Sequence, residues 1–236
     1  MHKDDLRFEF REFVMVPIVK VITRSAGLRR LFTDFGSLVN FMNWAESKFP
    51  SARFFGTRKN LLRQISKTYG SDICQVIELG VARGALTRWG LKNFSNSNLT
   101  WVGFDTFTGL PNDWTRNGDV YLAQGSFSTG GCVPQIFDSR LSFVIGDVTT
   151  TCTKIPELLR NRIDGKVLFI FDLDLFAPSY AAWKEISPHL RPGDLFYFDQ
   201  AFDLEGERLI IEEYLMKEKA VEFVGRSVIG CVFEIT

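Results

Sequence analysis

The sequence predicts an α/β fold: a seven-stranded, mostly parallel sheet with helices on both faces, an antiparallel last strand, and a helical extension ahead of it. Three observations carry this reading. From Ile73 onward, short apolar runs alternate with helical spacings. The run VLFIF at 167–171 is apolar throughout, as a strand buried on both faces must be. The chain closes on two strand-like segments, AVEFVG and VIGCVFEIT, which turn near residues 226–227 and read as an antiparallel pair.

Taken in order, residues 1–70 read as the helical extension and 71–236 as the main domain. After Asp34, a plausible cap, Phe35, Leu38, Val39, Met42 and Ala45 keep helical spacing until Pro50 stops the run. A second helix follows Thr57, with Leu61, Leu62, Ile65 and Tyr69 on one side and Gly70 as terminator. Parallel strands are expected at about 73–79, 99–104, 142–145, 166–173 and 193–199. Helices are expected near 84–93, 153–161, 178–189 and 205–217. Residues 106–140 form a long connection of the kind that serves function, and could act as a lid.

Composition narrows the function. With 236 residues, 45% of them hydrophobic and 24% charged, the chain can bury one sizeable core and is neither disordered nor a membrane protein. The longest apolar stretch, 13–22, is broken by Pro17 and Lys20, so no transmembrane span is expected. That stretch could be a subunit contact, a flap or an interfacial segment. The start, MHKDDLRFEFRE, is too charged for a secretory signal. The four cysteines include no CxxC pair, which argues against a zinc site or a disulfide framework and for a cytoplasmic protein. The 23 phenylalanines predict a bulky core and an aromatic-lined cleft. Residues 1–67 carry 13 Lys and Arg against 6 Asp and Glu, and the remainder 15 against 22. The basic residues are dispersed, so mutual attraction of the two halves is favoured over nucleic-acid binding.

Residues 76–90, VIELGVARGALTRWG, read as a buried strand, a glycine turn and a helix. Glu78 closes the apolar run, and Gly80, Ala82 and Gly84 follow at spacings of two. Small residues there let the backbone approach a ligand closely. Asp105 ends the next strand, with Thr106 beyond it, where an acid can accept from both hydroxyls of a ribose. Together these indicate a Rossmann-like site for an adenosine-bearing cofactor. The central strand ends in Asp172-Leu173-Asp174, and residues two apart on a strand point the same way. The next strand ends in Asp199-Gln200. Three carboxylates and an amide oxygen gathered at one edge repel unless a cation joins them, and oxygen ligands suit magnesium, calcium or manganese. The plainer alternative is that these acids cap the helices that follow them. Asp147, in VIGDV, either reaches an adenine amino group or caps the helix near 153. His2 and His189 are poorly placed for catalysis, and neither GxSxG nor a P-loop occurs.

At VIELGVARGAL, GFDTFTGLP, FVIGDVTTT, FIFDLDLFAPSYAAW and LRPGDLFYFDQ, the chain resembles class I S-adenosylmethionine-dependent methyltransferases, and more narrowly the macrocin O-methyltransferase family. The resemblance implies that Glu78 and the turn of Gly80, Ala82 and Gly84 line the methionine part of the cofactor. It implies that Asp105 holds the ribose and Asp147 contacts the adenine. It assigns Asp172 to a metal ion, with Asp199 and Gln200 completing the set, and Asp174 as base. The family's partner motif presents two adjacent acids where this chain has Asp199-Gln200, and the lost charge weakens a metal site. The implied reaction is methyl transfer to a hydroxyl of a sugar or sugar-containing natural product, assisted by Mg²⁺ or another divalent cation. The implied acceptor is a small molecule, a sugar or a nucleotide-linked compound. The Phe-rich preface suggests a homodimer. A phenolic or amine acceptor, a non-catalytic protein that keeps the cofactor pocket, and a nicotinamide dehydrogenase stand as alternatives.

Overall fold

The computed structural model describes residues 21, 25–116 and 118–236. The apolar stretch 13–22 lies outside them except for Val21. The chain separates into two compact units, Met1–Asn40 and Phe41–Thr236. The helix Ala26–Lys48 begins in the first. It starts earlier than Asp34 suggests, because Leu28, Leu31, Phe32 and Phe35 carry the helical spacing straight through that acid. Ser25 Oγ accepts from Leu28 N at 3.3 Å, so Ser25 rather than Asp34 supplies the terminal acceptor.

The second unit holds the predicted sheet. Its strands are β1 (Ile73–Leu79), β2 (Thr100–Asp105), β3 (Trp114–Arg116), β4 (Asp119–Leu122), β5 (Leu141–Ile145), β6 (Lys166–Phe171), β7 (Leu195–Phe198), β8 (Val221–Arg226) and β9 (Cys231–Ile235). Seven of them make one sheet in the order β5-β2-β1-β6-β7-β9-β8. Only β9 runs against the others. Chain order reverses between β1 and β6, and at that point the crevice above the strands' carboxyl ends opens for ligands.

Burial explains the strand sequences. β1 is buried at every position, as are β7 and all of β6 after Lys166. Phe169, Phe171, Phe196 and Phe198 pack ring to ring on these central strands, Phe169 and Phe196 at 4.9 Å between centroids. Elsewhere Phe49 stacks on Phe223 at 4.3 Å. These phenylalanines fill the layers beside the sheet. Residues 53–55 lie along the outer edge of β8, with Phe55 N donating to Arg226 O and Arg226 N to Arg53 O, which occupies backbone groups an edge strand would expose.

The helix Arg58–Tyr69 is capped by Thr57, whose Oγ1 accepts from Asn60 N. Gly70 ends it in a right-handed conformation rather than the left-handed one typical of glycine caps. The helices Ala85–Asn93 and Phe176–Ile186 fall where the spacing places them. The helix expected near 153 begins at Val148, continues as a 3₁₀ turn and resumes at Ile155–Arg160. The last helical stretch begins at Glu207 and passes through a π-helical segment, Ile210–Leu215, before β8. The long connection 106–140 contains the β3–β4 hairpin and is folded onto itself. Among the described residues no helix is long and apolar enough to cross a membrane. All four cysteines are free, and Cys132 is exposed.

Candidate active site

A cavity of about 370 Å³ opens at the carboxyl ends of the parallel strands, within the range of small-molecule sites. Its wall contains Glu78, Gly80, Ala82, Asp105, Thr106, Asp147, Asp172, Asp174, Asp199 and Gln200. These residues come from the ends of five strands. Gly84 is absent from the wall; it begins the helix Ala85–Asn93 at φ +69°, and a Cβ there would press on Ile136 and Pro134. Phe127 is the cavity's one aromatic among the described residues, so the expected aromatic lining is missing. Phe169, Phe171, Phe196 and Phe198 are instead buried in the core on the central strands.

The floor is set by the turn after β1. Gly80 has φ +88°, and a Cβ there would lie 1.9 Å from the carbonyl oxygen of Asp172, so β1 and β6 approach too closely for any side chain. Ala82 also has positive φ, at 47°, a costly conformation for a residue with a Cβ. Asp105 holds the turn in this shape. Its Oδ2 accepts from both Val81 N and Ala82 N at 2.7 Å, and its Oδ1 accepts from Phe107 N at 2.6 Å. A carboxylate has roughly four acceptor sites, so about one is left for a ligand. Asp105 is thus a brace for the turn as well as a wall of the cavity. Thr106 Oγ1 caps its own turn, accepting from Thr108 N at 3.1 Å.

Glu78 is 1% exposed, and its Oε2 accepts from Thr87 Oγ1 and Trp101 Nε1, both at 2.6 Å. Burial pushes its carboxyl up to about 7 against the pull of those two donors. Asp147 takes the capping role, and its place on the cavity wall leaves the adenine contact as an expectation. It caps the helix Val148–Thr151 through Thr149 N at 2.8 Å, and it lines the cavity.

The acids after β6 do not cap a helix: Leu175 precedes Phe176–Ile186 and no side chain caps it. Asp174 adopts φ +61°, is 6% exposed, and leaves Oδ1 buried without a hydrogen-bond partner. Burial first, then the charges of Asp199 and Asp203, push its carboxyl up to about 7. A buried acceptor facing a cavity, with affinity for a proton near neutrality, suits a general base. Asp172 is driven well above the usual carboxylate range by burial and by Asp199, Asp174 and Glu207, with Arg58 opposing.

Asp199 has both oxygens engaged. Arg58 Nη1 donates to Oδ2 at 2.8 Å, and the Tyr197 hydroxyl donates to Oδ1. Glu207, fully buried, ties the two strand ends together: it accepts from Leu173 N at 3.3 Å and Gln200 N at 3.0 Å. Sequence reasoning missed Arg58, Tyr197 and Glu207. Tyr197 was findable, since it shares a strand face with Asp199 two residues on. Arg58 and Glu207 arrive from other elements and left no local signal.

Among the described residues, no three His, Cys, Asp or Glu side chains converge as metal ligands. The proposed set of Asp172, Asp199 and Gln200 does not fit a divalent ion in this arrangement, because a guanidinium and a phenol already hold Asp199. S-adenosylmethionine fits better. Gly80 and the small Ala82 bring the turn's backbone close to the cavity, and an acid-lined cavity tolerates a cationic sulfonium.

The connection 106–140 closes one side of the cavity with Gly109, Leu110, Pro111 and Phe127. Its hairpin is pinned by Trp114 Nε1 donating to Asp203 Oδ2 at 2.7 Å, with Arg116 stacked on Tyr121 and Phe202. Asp203 Oδ1 also accepts from Glu205 N at 3.2 Å, so this acid ties the connection to the turn before the last helical stretch.

No protein-family model matches the chain, and no curated protein matches it in sequence. Among solved structures it is similar to CalS11, a calicheamicin methyltransferase, with TM-score 0.50, 22% identity, and 75% of this chain and 76% of that one covered. It is also similar to the O-methyltransferase NovP, with TM-score 0.54, 19% identity, and 74% and 78% covered. At these identities the likeness shows the fold alone, a Rossmann-like α/β arrangement shared with these two proteins.

Proposed function

We propose that the chain is an S-adenosylmethionine-dependent O-methyltransferase acting on a hydroxyl of a sugar or sugar-containing natural product. Residues 71–236 would be the catalytic domain and 1–70 an extension to it. The observation that supports this most is the meeting, in one cavity, of the turn braced by Asp105 with the unpartnered Oδ1 of Asp174. The likeness in fold to CalS11 and NovP supports the same reading, and the resemblance of the motifs to the macrocin family implies the sugar acceptor.

The cofactor, when bound, supplies a methyl group on a positively charged sulfur. The chain's residues do the rest. Gly80 and Ala82 would let it lie against the backbone, and Glu78 would hold its methionine end and Asp105 and Asp147 its nucleoside. Asp172 and Asp174 face the acceptor. A sugar hydroxyl holds its proton far above pH 7, so its oxygen attacks productively only when a base takes that proton as the new bond forms. Asp174 is placed to do so, and a positioned base contributes about 10²–10⁴-fold.

Transfer of labelled methyl from S-adenosylmethionine to a panel of sugars, phenols and amines tests the reading. Sugar hydroxyls should be methylated, and Asp174→Asn should lower turnover at least a hundredfold while leaving cofactor affinity within threefold. Methylation of phenols or amines alone, or full activity in Asp174→Asn, would refute the acceptor class or the base respectively.

A further inference from the structure

We propose that Arg58 stands where a divalent cation would otherwise be needed, so that methyl transfer in this protein needs no metal. The inference rests on the methyltransferase reading for its chemistry, but its geometry is independent of it. Arg58 is the first residue of the helix Arg58–Tyr69, which Thr57 caps, so its backbone is fixed at the rim of the cavity. Its Nη1 reaches Asp199 Oδ2 at 2.8 Å, and its side chain is 50% exposed against 1% for Asp199. The positive charge thus meets the buried acid from the cavity side. Tyr197 takes the other oxygen. A cation approaching Asp199 would have to displace a bonded guanidinium.

The neighbouring position agrees. Gln200 provides an amide oxygen but no charge, so the two strand ends offer Asp172, Asp174 and Asp199 where a further acid would make four. One fixed guanidinium carries one positive charge and cannot leave with product. Among the described residues only Nη1 of Arg58 is engaged, so its remaining N–H groups are open to an oxygen of the acceptor. A planar fork of donors suits a pair of adjacent oxygens. In the transfer step the hydroxyl oxygen forms a bond to the methyl carbon and the carbon–sulfur bond breaks, its electron pair staying on sulfur. The proton moves to Asp174. Sulfonium, hydroxyl and carboxylate become thioether, ether and carboxylic acid, so no further reactant is required.

Mn²⁺ provides the test. Titrated into the wild-type protein and followed by electron paramagnetic resonance, it should keep its free six-line signal at millimolar concentration. Arg58→Ala/Gln200→Asp should quench that signal at least tenfold more strongly, because the pocket gains an acid and loses its internal cation. EDTA should leave wild-type methyl transfer within twofold, and Arg58→Ala should lower it at least tenfold, with partial return in Arg58→Lys. Wild-type uptake of Mn²⁺ that is lost in Asp199→Asn would overturn the inference, as would EDTA inactivation reversed by Mg²⁺. If no acceptor is methylated under any condition, the functional reading fails, yet the Mn²⁺ titration still decides the role of Arg58.

Discussion

Glu78 offers a quantitative test of how the cavity floor is built. Its carboxyl is fully buried and titrates at about 7 rather than 4.5. A shift of that size corresponds to about 3 kcal/mol of coupling between protonation and folding. The folded state binds the proton more tightly than the unfolded one, so this contribution is fully present below pH 4.5. It is lost as pH rises through about 7. Between pH 5 and pH 8 the wild type should therefore lose about 2.5 kcal/mol of unfolding free energy through this group alone. In Glu78→Gln the amide oxygen can still accept from Thr87 and Trp101, but nothing titrates. Urea unfolding of both proteins at the two pH values isolates the effect, because other buried acids change both proteins alike. Parallel pH dependence in the two would refute the assignment of a buried, proton-hungry Glu78.

Two further substitutions probe the frame around the site. Asp194 accepts from Arg162, Val167 N and Arg191 N, and both members of the Arg162 pair are 1% exposed. Asp194→Ala should cost about 3–5 kcal/mol in thermal or urea unfolding by stranding a buried guanidinium; a loss under 1 kcal/mol would contradict that. Trp114→Phe keeps an aromatic ring but removes the donor to Asp203 and part of the buried indole, and should cost at least about 1–3 kcal/mol. Amide exchange should rise chiefly in residues 106–130, and a uniform rise across the sheet would contradict the hairpin's role as an anchor.

The strand ends were legible because two periodicities coincide there: apolar runs mark buried strands, and the acid that terminates each run lands at the ligand-binding edge. Glu78, Asp105, Asp172 and Asp199 could be placed in one cavity from that rule alone. What could not be read is what those acids touch. Asp105 has the chemistry of a ribose ligand, yet most of its acceptor capacity serves backbone N–H groups, two of them on the turn that Ala82 strains. Arg58 and Asp199 are 141 positions apart, and only tertiary packing joins them. Asp34 misled because a capping residue type interrupted a periodic run that in fact passed through it. The aromatic cleft failed for a related reason: counting phenylalanines says how much bulk must be buried, not which layer receives it.

Calorimetric titration with S-adenosylmethionine, run beside NAD, tests the central claim most directly. One molecule of S-adenosylmethionine should bind per chain and NAD should give no heat, while Asp105→Ala, which unclasps the turn, should weaken binding at least tenfold. Binding of NAD in its place, no binding of either, or undiminished affinity in a folded Asp105→Ala would contradict the account.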